Sequence, residues 1–445
     1  MPDNTDHLGE LIGDTALRRI VALGTSAVFR DQTLIRKYWD TDAAHLDSGV
    51  QAHLYTRAED IFVARIPVDG DAAERLAVAL DVNHEIWRRF TGADLASSTS
   101  RVVMATGSAD VAPPPRSTGQ SASMTWLRGG LNDAVAAEWR DGVAAVLAFV
   151  PDAELLARLG FDADTDMSRR ATVLARLMDK NHAMDLLAAN GVACARTYNF
   201  EASEPPLTLL DRLPGGPQRY VVKPAGGAAG IGVFTDGGAG ANQAAAIRHV
   251  AELRAAGKLP ERFQVQEFLH GPVSGASMWL DGRGGCRVFE IHQQLFNEAG
   301  RFVGARWSRA GQAAQEADVL RAGRAMSAAV GHRLLVGIDH VSGVVLEVNP
   351  RVTAAAPIAH LLRYAADVEA AAGVGIERID LDTTMAIPYT AIASGAVAAA
   401  GEAVRARFGT LVLPQGLNPW GNSRVVFVND DQARSARAAF ARRLE

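Results

Sequence analysis

The chain has 445 residues, 48% hydrophobic and 21% charged, with a net charge of -5 at pH 7. That balance excludes a disordered or fibrous protein and leaves room for about three domains of roughly 150 residues each. The weak negative charge is spread along the chain, which argues against nucleic acid or an anionic membrane as partner.

No apolar run approaches the ~18 residues of a spanning helix. The N-terminus is polar and acidic, so no signal peptide is expected, and Cys194 and Cys286 form no CxxC pair. A cytoplasmic, reduced protein is expected, with both cysteines as buried small hydrophobes.

Residues 1 to about 165 alternate strand-like runs (61–66, 144–150) with amphipathic helical stretches (71–80, 152–159), which predicts an α/β layer. A Pro- and Ser-rich stretch over 111–123 interrupts it as a loop. A helical pattern runs over 166–187 and turns at Asn190-Gly191. Pro205-Pro206 and 214–217 are turns. Strands then dominate, over 219–223, 263–268, 276–279, 286–296 and 302–307, with hairpin turns at Asp281-Gly282 and 297–300. A helix over 316–330 precedes strands over 334–340 and 344–348. The last stretch holds a helix around 391–408 and a strand near 424–428. No internal repeat is visible.

Four lysines stand against a large excess of arginine: Lys37, Lys180, Lys223 and Lys258. A retained lysine hints at a place where a compact ammonium is wanted and a planar fork is not. Two of the four fall inside chemical motifs.

The first motif runs from Tyr220 to Val233 and contains Lys223, Pro224 and the small-residue loop Gly226, Gly227, Ala228, Ala229, Gly230. Glycines let backbone N–H groups approach phosphate oxygens, and a lysine leaving the strand meets them as a point charge. The pattern is neither a Walker nor a Rossmann signature. A plain glycine-rich hairpin is almost as good an explanation of this segment by itself.

The second motif runs from Asp339 to Arg351. Strands on either side of Ser342-Gly343 would set Asp339 near Glu347 and Asn349, and the two-residue period puts Glu347, Asn349 and Arg351 on one face. Such oxygen ligands suit Mg²⁺ held jointly with phosphates. Leu346, Val348 and Pro350 would form the opposite, apolar face, and a buried carboxylate cluster needs a cation.

A third segment, Gln266, Glu267, Phe268 and Leu269, ends a strand and can offer main-chain groups to a purine edge. A fourth, Met178 to His182, lies in an amphipathic helix, where a solvated charge pair is the simpler account. No Ser/His/Asp or Cys/His arrangement is evident.

Taken in order, these four motifs resemble the run found in ATP-grasp enzymes, over roughly 166–360. Glu-x-Asn-x-Arg after Gly337-Ile338-Asp339 is the most specific part. The resemblance implies a mixed α/β (α+β) fold with an N-terminal pre-ATP-grasp domain (1–165), a two-subdomain ATP-grasp core (166–380, lid about 195–270) and a C-terminal extension (381–445). It implies ATP and Mg²⁺. Lys180 and Lys223 would bind phosphates, and the loop with Gly226, Gly227 and Gly230 would close over them. Gln266, Glu267, Phe268 and Leu269 would line adenine. Asp339, Glu347 and Asn349 would hold Mg²⁺, and Arg351 would steady the transferring phosphoryl group.

The segment 271–274 lacks the family's frequent ribose carboxylate, so that contact is unassigned between Glu267 and Ser274. Glu290 would touch metal or a substrate amine, or be a paired structural carboxylate. His292, His340 and His360 are expected to be structural.

The activity implied is amide formation through an acyl-phosphate, with small carboxylic or amino acids and peptides as substrates. Family members are often dimers, so a homodimer is an expectation too. A narrower resemblance, through 83–87, 121–130 and 416–421, is to the ATP-grasp peptide ligases of actinobacterial pheganomycin biosynthesis. It implies a peptide N-terminus as the amine. A Gly- and Arg-containing loop over 307–312 is a candidate lining for a peptide cleft, although a plain solvated loop is the simpler reading of it. The rivals are a carboxylase subunit (the biotinyl Met-Lys-Met is absent), a phosphotransferase, an amino-acid ligase acting on small amines and a non-catalytic nucleotide-binding module.

Overall fold

A computed structural model describes residues 19–22, 61–65, 71–91, 101–105, 124–127, 145–148, 165–205, 207–226, 232–298, 300, 302–373, 375–429 and 433–445. In chain order the strands are β1 (Arg19–Ala22), β2 (Ile61–Arg65), β3 (Arg101–Ala105), β4 (Met124–Leu127), β5 (Ala145–Ala148), β6 (Thr197–Glu201), β7 (Tyr220–Pro224) and β8 (Arg262–Glu267). They continue with β9 (Ser274–Asp281), β10 (Cys286–Phe296), β11 (Phe302–Ser308), β12 (Arg333–Val341), β13 (Val344–Asn349), β14 (Arg378–Ala386), β15 (Leu411–Gly416) and β16 (Asn422–Val428). The helices are α1 (Ala72–Thr91), α2 (Asp166–Met178), α3 (Lys180–Ala189), α4 (Leu207–Arg212), α5 (Gln243–Ala255) and α6 (Arg309–Val330). After them come α7 (Ala356–Arg363), α8 (Ala365–Ala372), α9 (Tyr389–Ala393), α10 (Ala396–Phe408) and α11 (Ala433–Arg442). No helix among the described residues is long and apolar enough to cross a membrane.

The chain divides into two compact units. One comprises residues 1–172, 304–310 and 354–445, the other 173–303 and 311–353.

In the first unit, β1 to β5 form a wholly parallel sheet in the order β4-β3-β2-β1-β5. This is the α/β layer that the alternating pattern predicts. The expected loop over 111–123 and helix over 152–159 lie outside the described residues. Strands β11, β14, β16 and β15 pair antiparallel in that order. Helix α1 packs on β15, α8 and α9, and its Trp87 is fully buried, donating from Nε1 to the Pro414 carbonyl at 2.6 Å. His360 lies 5.1 Å from that indole, ring to ring. Asn418 caps the turn before β16, accepting from the Trp420 N–H at 3.1 Å. The segments around Trp87 and Asn418 are therefore built into the fabric of this unit.

The second unit holds two sheets, each with its own core. The first is antiparallel, ordered β6-β8-β7. Its inner face carries Phe200, Tyr220, Val222, Phe263 and Val265 under α4 and α5, with Phe200 and Phe263 stacked at 5.5 Å. Its other face carries Asn199, Lys223, Gln264 and Gln266, by the two-residue period. In the second sheet the antiparallel order is β13-β12-β9-β10. Met278, Leu280, Ile291, Val336, Ile338 and Val345 pack from it against Leu177, Leu187, Val319 and Met326 of α2, α3 and α6. The turn between β12 and β13 takes positive φ at Ser342 (49°) and Gly343 (79°), as a two-residue hairpin of type I′ requires.

The structure revises three local expectations. The helical pattern over 166–187 is two helices, because Asp179 is extended (φ -77°, ψ 106°) and caps α3, accepting from the His182 N–H at 3.1 Å. Lys180 is thereby the first residue of a helix, not a residue inside one. The expected loop over 307–312 does not exist: β11 ends at Ser308 and α6 begins at Arg309. The helix around 391–408 is broken in two at Gly395, which has a φ of 76°.

Candidate active site

The outer face of the four-stranded sheet carries the site, and register places the residues in two rows. Glu347 faces Asp339, Asp339 faces Gly275, and Gly275 faces His292. In the next row Asn349 faces Gly337, which faces Ser277, which faces Glu290. Directly opposed residues of an antiparallel pair have Cβ atoms about 5 Å apart. The sequence expectation of Asp339 beside Glu347 is therefore met by the pairing itself.

Two bulges shape this face. Leu346 is an extra residue on β13, between the pairs Asp339–Glu347 and His340–Val345. Phe289 is an extra residue on β10, between Val288 and Glu290. The first corrects the predicted apolar face: Val345 and Val348 enter the core, and Leu346 stands out of it. Its carbonyl accepts from Lys223 Nζ and from Gln266 Nε2, each at 3.0 Å. A bulge thus turns a ladder carbonyl into an anchor for two side chains of the three-stranded sheet.

Lys180 and Lys223 converge on one carboxylate. Lys180 Nζ is 3.6 Å from Glu347 Oε1, and Lys223 Nζ is 3.7 Å from Oε2. Both lysines are buried, at 7% and 6% exposure. The backbone N–H of Lys180 bonds to the Ala225 carbonyl at 2.8 Å, tying the start of α3 to the start of the glycine loop. Gly226 is described, with open space where a Cβ would stand. Gly227 and Gly230 lie outside the described residues.

Charge and burial compete here. Burial pushes Glu347 up, but Lys180, Lys223 and Arg351 outweigh it and hold the carboxyl below its ordinary value. Burial pushes Lys223 down, opposed by Glu347. Arg351 is likewise lowered by burial and opposed by Glu347 and Asp339; its Nη1 also reaches the Met178 sulfur at 3.6 Å. Asp339 is raised to about 6, by burial first and by Glu347 second.

Two carboxylates in one buried niche, one forced toward its neutral form, fit a hard cation. Asn349, 8% exposed, adds an amide oxygen on the same face. Among the described residues no three His, Cys, Asp or Glu side chains group to hold a metal by themselves. The pair Asp339 and Glu347 with Asn349 could hold an ion which takes one or two carboxylates and completes its octahedron with phosphates and water, as Mg²⁺ does.

The raised Asp339 gives a pH prediction. Its proton is held more tightly folded than unfolded, so stability falls as pH rises from about 4 through about 6. A cation replacing that proton reverses the trend. The rise in melting temperature on adding MgCl₂ should grow between about pH 5 and pH 7, and should lose that growth in Asp339→Asn. An equal magnesium shift across this range in the unaltered protein would refute the assignment.

The Gln266 side chain donates to the Leu346 carbonyl and to Thr197 Oγ1, each at 3.0 Å. The N–H groups of Glu267 and Phe268 bond to the Arg196 and Arg219 carbonyls, each at 2.8 Å. No hydrogen bond engages the Leu269 N–H among the described residues, so Leu269 keeps a main-chain donor for a ligand. Ser274 is buried at the start of β9.

Sequence reasoning missed Gln294, which donates to Asp339 Oδ1 at 2.6 Å and orients that carboxylate. It also missed Arg262, which pairs with the capping Asp179. Neither sits in a motif; Gln294 shares the alternation of Glu290 and His292, which was the available signal. Glu290 pairs with His292, its Oε2 lying 2.6 Å from Nδ1.

Residues 177–355 match the family model of the ATP-grasp domain. No curated protein matches the chain. Among solved structures, N5-carboxyaminoimidazole synthase from Aspergillus clavatus, in complex with ADP and 5-aminoimidazole ribonucleotide, is similar at a TM-score of 0.50. It shares 13% identity, covering 81% of this chain and 95% of that one. An ADP complex of N5-carboxyaminoimidazole ribonucleotide synthetase also scores 0.50, with 11% identity over 86% of this chain and 95% of the other. The L-amino acid ligase from Bacillus licheniformis scores 0.49, at 13% identity over 82% and 94%. At these identities the likeness is one of fold. The chain has the ATP-grasp fold.

Proposed function

We propose that the protein is an ADP-forming carboxylate–amine ligase using Mg-ATP. The observation that carries this reading is the convergence of Lys180 and Lys223 on Glu347, with Asp339 opposite and Arg351 beside it. A module that only bound nucleotide would not need buried cations and paired carboxylates at one point.

In this reading Lys180 and Lys223 leave Glu347 for phosphate oxygens, and Arg351 holds the group in transfer. Asp339, Glu347 and Asn349 would hold Mg²⁺, which would supply charge neutralisation. The γ-phosphoryl passes from ATP to a carboxylate oxygen, giving ADP and an acyl-phosphate. An amine then attacks the acyl carbon and inorganic phosphate leaves. The protein provides position and charge, and no nucleophile.

The finer reading has an unusual amino acid as the acid, a peptide N-terminus as the amine, and antibiotic assembly as the setting. It is supported only by the sequence resemblance of the flanking segments.

With Mg-ATP and a panel of acids, hydroxylamine should trap a hydroxamate as ADP appears. AMP and pyrophosphate would overturn the mechanism. Mass spectrometry should show a ligated peptide when acid and peptide are supplied together. Turnover with free amino acids but never with a peptide would remove the finer reading.

A further inference from the structure

One pair on the site face has no part in phosphoryl transfer. Glu290 and His292 stand beyond the Phe289 bulge of β10, at 0% and 4% exposure. A carboxylate oxygen only accepts, so the 2.6 Å contact is Nδ1–H donating to Glu290 Oε2. In the neutral ring the lone pair then sits on Nε2. Nε2 has no hydrogen-bond partner among the described residues. Glu290 Oε1 is buried and likewise unpartnered. An incompletely bonded buried carboxylate destabilises a fold, so the pair is poorly explained as packing.

Gly275 shows where the ring points. A Cβ built there would overlap Nε2 and stand 2.6 Å from Cε1. The ring therefore lies over Gly275, the residue between His292 and Asp339 in the row. Strands are ~4.8 Å apart, so β10 and β12 are separated by about 10 Å, and the imidazole covers roughly half of that. Nε2 is left about one strand spacing from the Asp339 column. Glycine is needed at this position for room, not for an unusual backbone.

The site face is sorted by charge. Lys180, Lys223 and Arg351 gather at the β13 side, where phosphates and an acid's carboxylate are attracted. At the β10 side stand the Gln294 amide, whose Nε2 is taken by Asp339, and the nearly buried His292 lone pair backed by a carboxylate, which repels acids and accepts an N–H.

We propose that His292 Nε2, oriented by Glu290, docks the N–H of the incoming amine beside the activated acid. This rests on the ligase reading: the amine must lie with one N–H on an acceptor while its own lone pair faces the acyl carbon. His292 is thus a substrate-binding residue, and Glu290 a positioning residue.

The test takes the acid–amine pair of highest turnover among the twenty proteinogenic amino acids and their dipeptides. Michaelis constants for ATP, acid and amine are measured for His292→Ala and Glu290→Gln. His292→Ala should raise the amine constant about tenfold or more, as loss of one hydrogen bond in a buried site implies, while those for ATP and acid move less than about twofold. Glu290→Gln still accepts from Nδ1–H and should show a smaller rise confined to the amine. It also serves if His292→Ala fails to fold. An unchanged amine constant, or an equal rise in all three, would overturn the proposal and leave the ligase reading intact. Absence of any acid-dependent ADP formation by the unaltered protein would remove both.

Discussion

Glu347→Gln is expected to lower Mg²⁺-dependent ADP formation about a thousandfold, the upper range for removing one preorganised charge at a transferring group. It should also lower stability. Glu347 is the shared counter-charge of two buried lysines, at 3.6 and 3.7 Å. Neutralising it leaves both ammonium groups buried without that partner, at a cost of about 3 kcal/mol. The carboxylate keeps 18% of its surface, so the lower end of the range for buried pairs applies. The two effects are separable. Adding Lys223→Met to Glu347→Gln removes one stranded cation and should recover part of the melting temperature, while restoring none of the activity. A single variant that melts normally and turns over ATP at the original rate would show that the convergence on Glu347 has neither role.

The hairpin that carries Glu347 was readable because its signals are local. A two-residue turn at Ser342-Gly343 and a period of two set Asp339 opposite Glu347, and the strand over Cys286–Phe296 was bounded by its own turns. The bulges were not readable. Nothing in the run Val344 to Asn349 marks Leu346 as the residue that steps out, since an apolar residue fits either side of a half-buried strand. Yet that step turns one carbonyl toward Lys223 and Gln266 and so helps position a site lysine. The break at Asp179 was hidden for a similar reason: the amphipathic pattern continues across it, and only tertiary partners, Arg262 and the Ala225 carbonyl, favour a new helix start there. Pairs such as Gln294–Asp339 join residues 45 apart in sequence, which periodicity cannot reach.

Lys223→Ala is expected to raise the ATP Michaelis constant or abolish turnover, a loss of about a hundredfold or more in kcat/KM, with the fold retained. The asymmetry with Glu347 follows from the partners left behind. Without Lys223, Glu347 still has Lys180 and Arg351, and the Leu346 carbonyl still accepts from Gln266. No buried charge or acceptor is stranded, so the remaining penalty is lost packing of a largely aliphatic stem. A hundredfold loss of ATP affinity would remove about 2.7 kcal/mol of ligand-induced stabilisation. The melting-temperature rise caused by Mg-ATP should therefore collapse, although the ligand-free protein melts almost where it did before. Lys223→Arg should not restore it. The ammonium donates to Leu346 in a niche that is 6% exposed, and a planar fork cannot reproduce one compact charge there. An unaltered Mg-ATP shift in Lys223→Ala would exclude Lys223 from nucleotide binding and leave it a structural clamp on the β13 bulge.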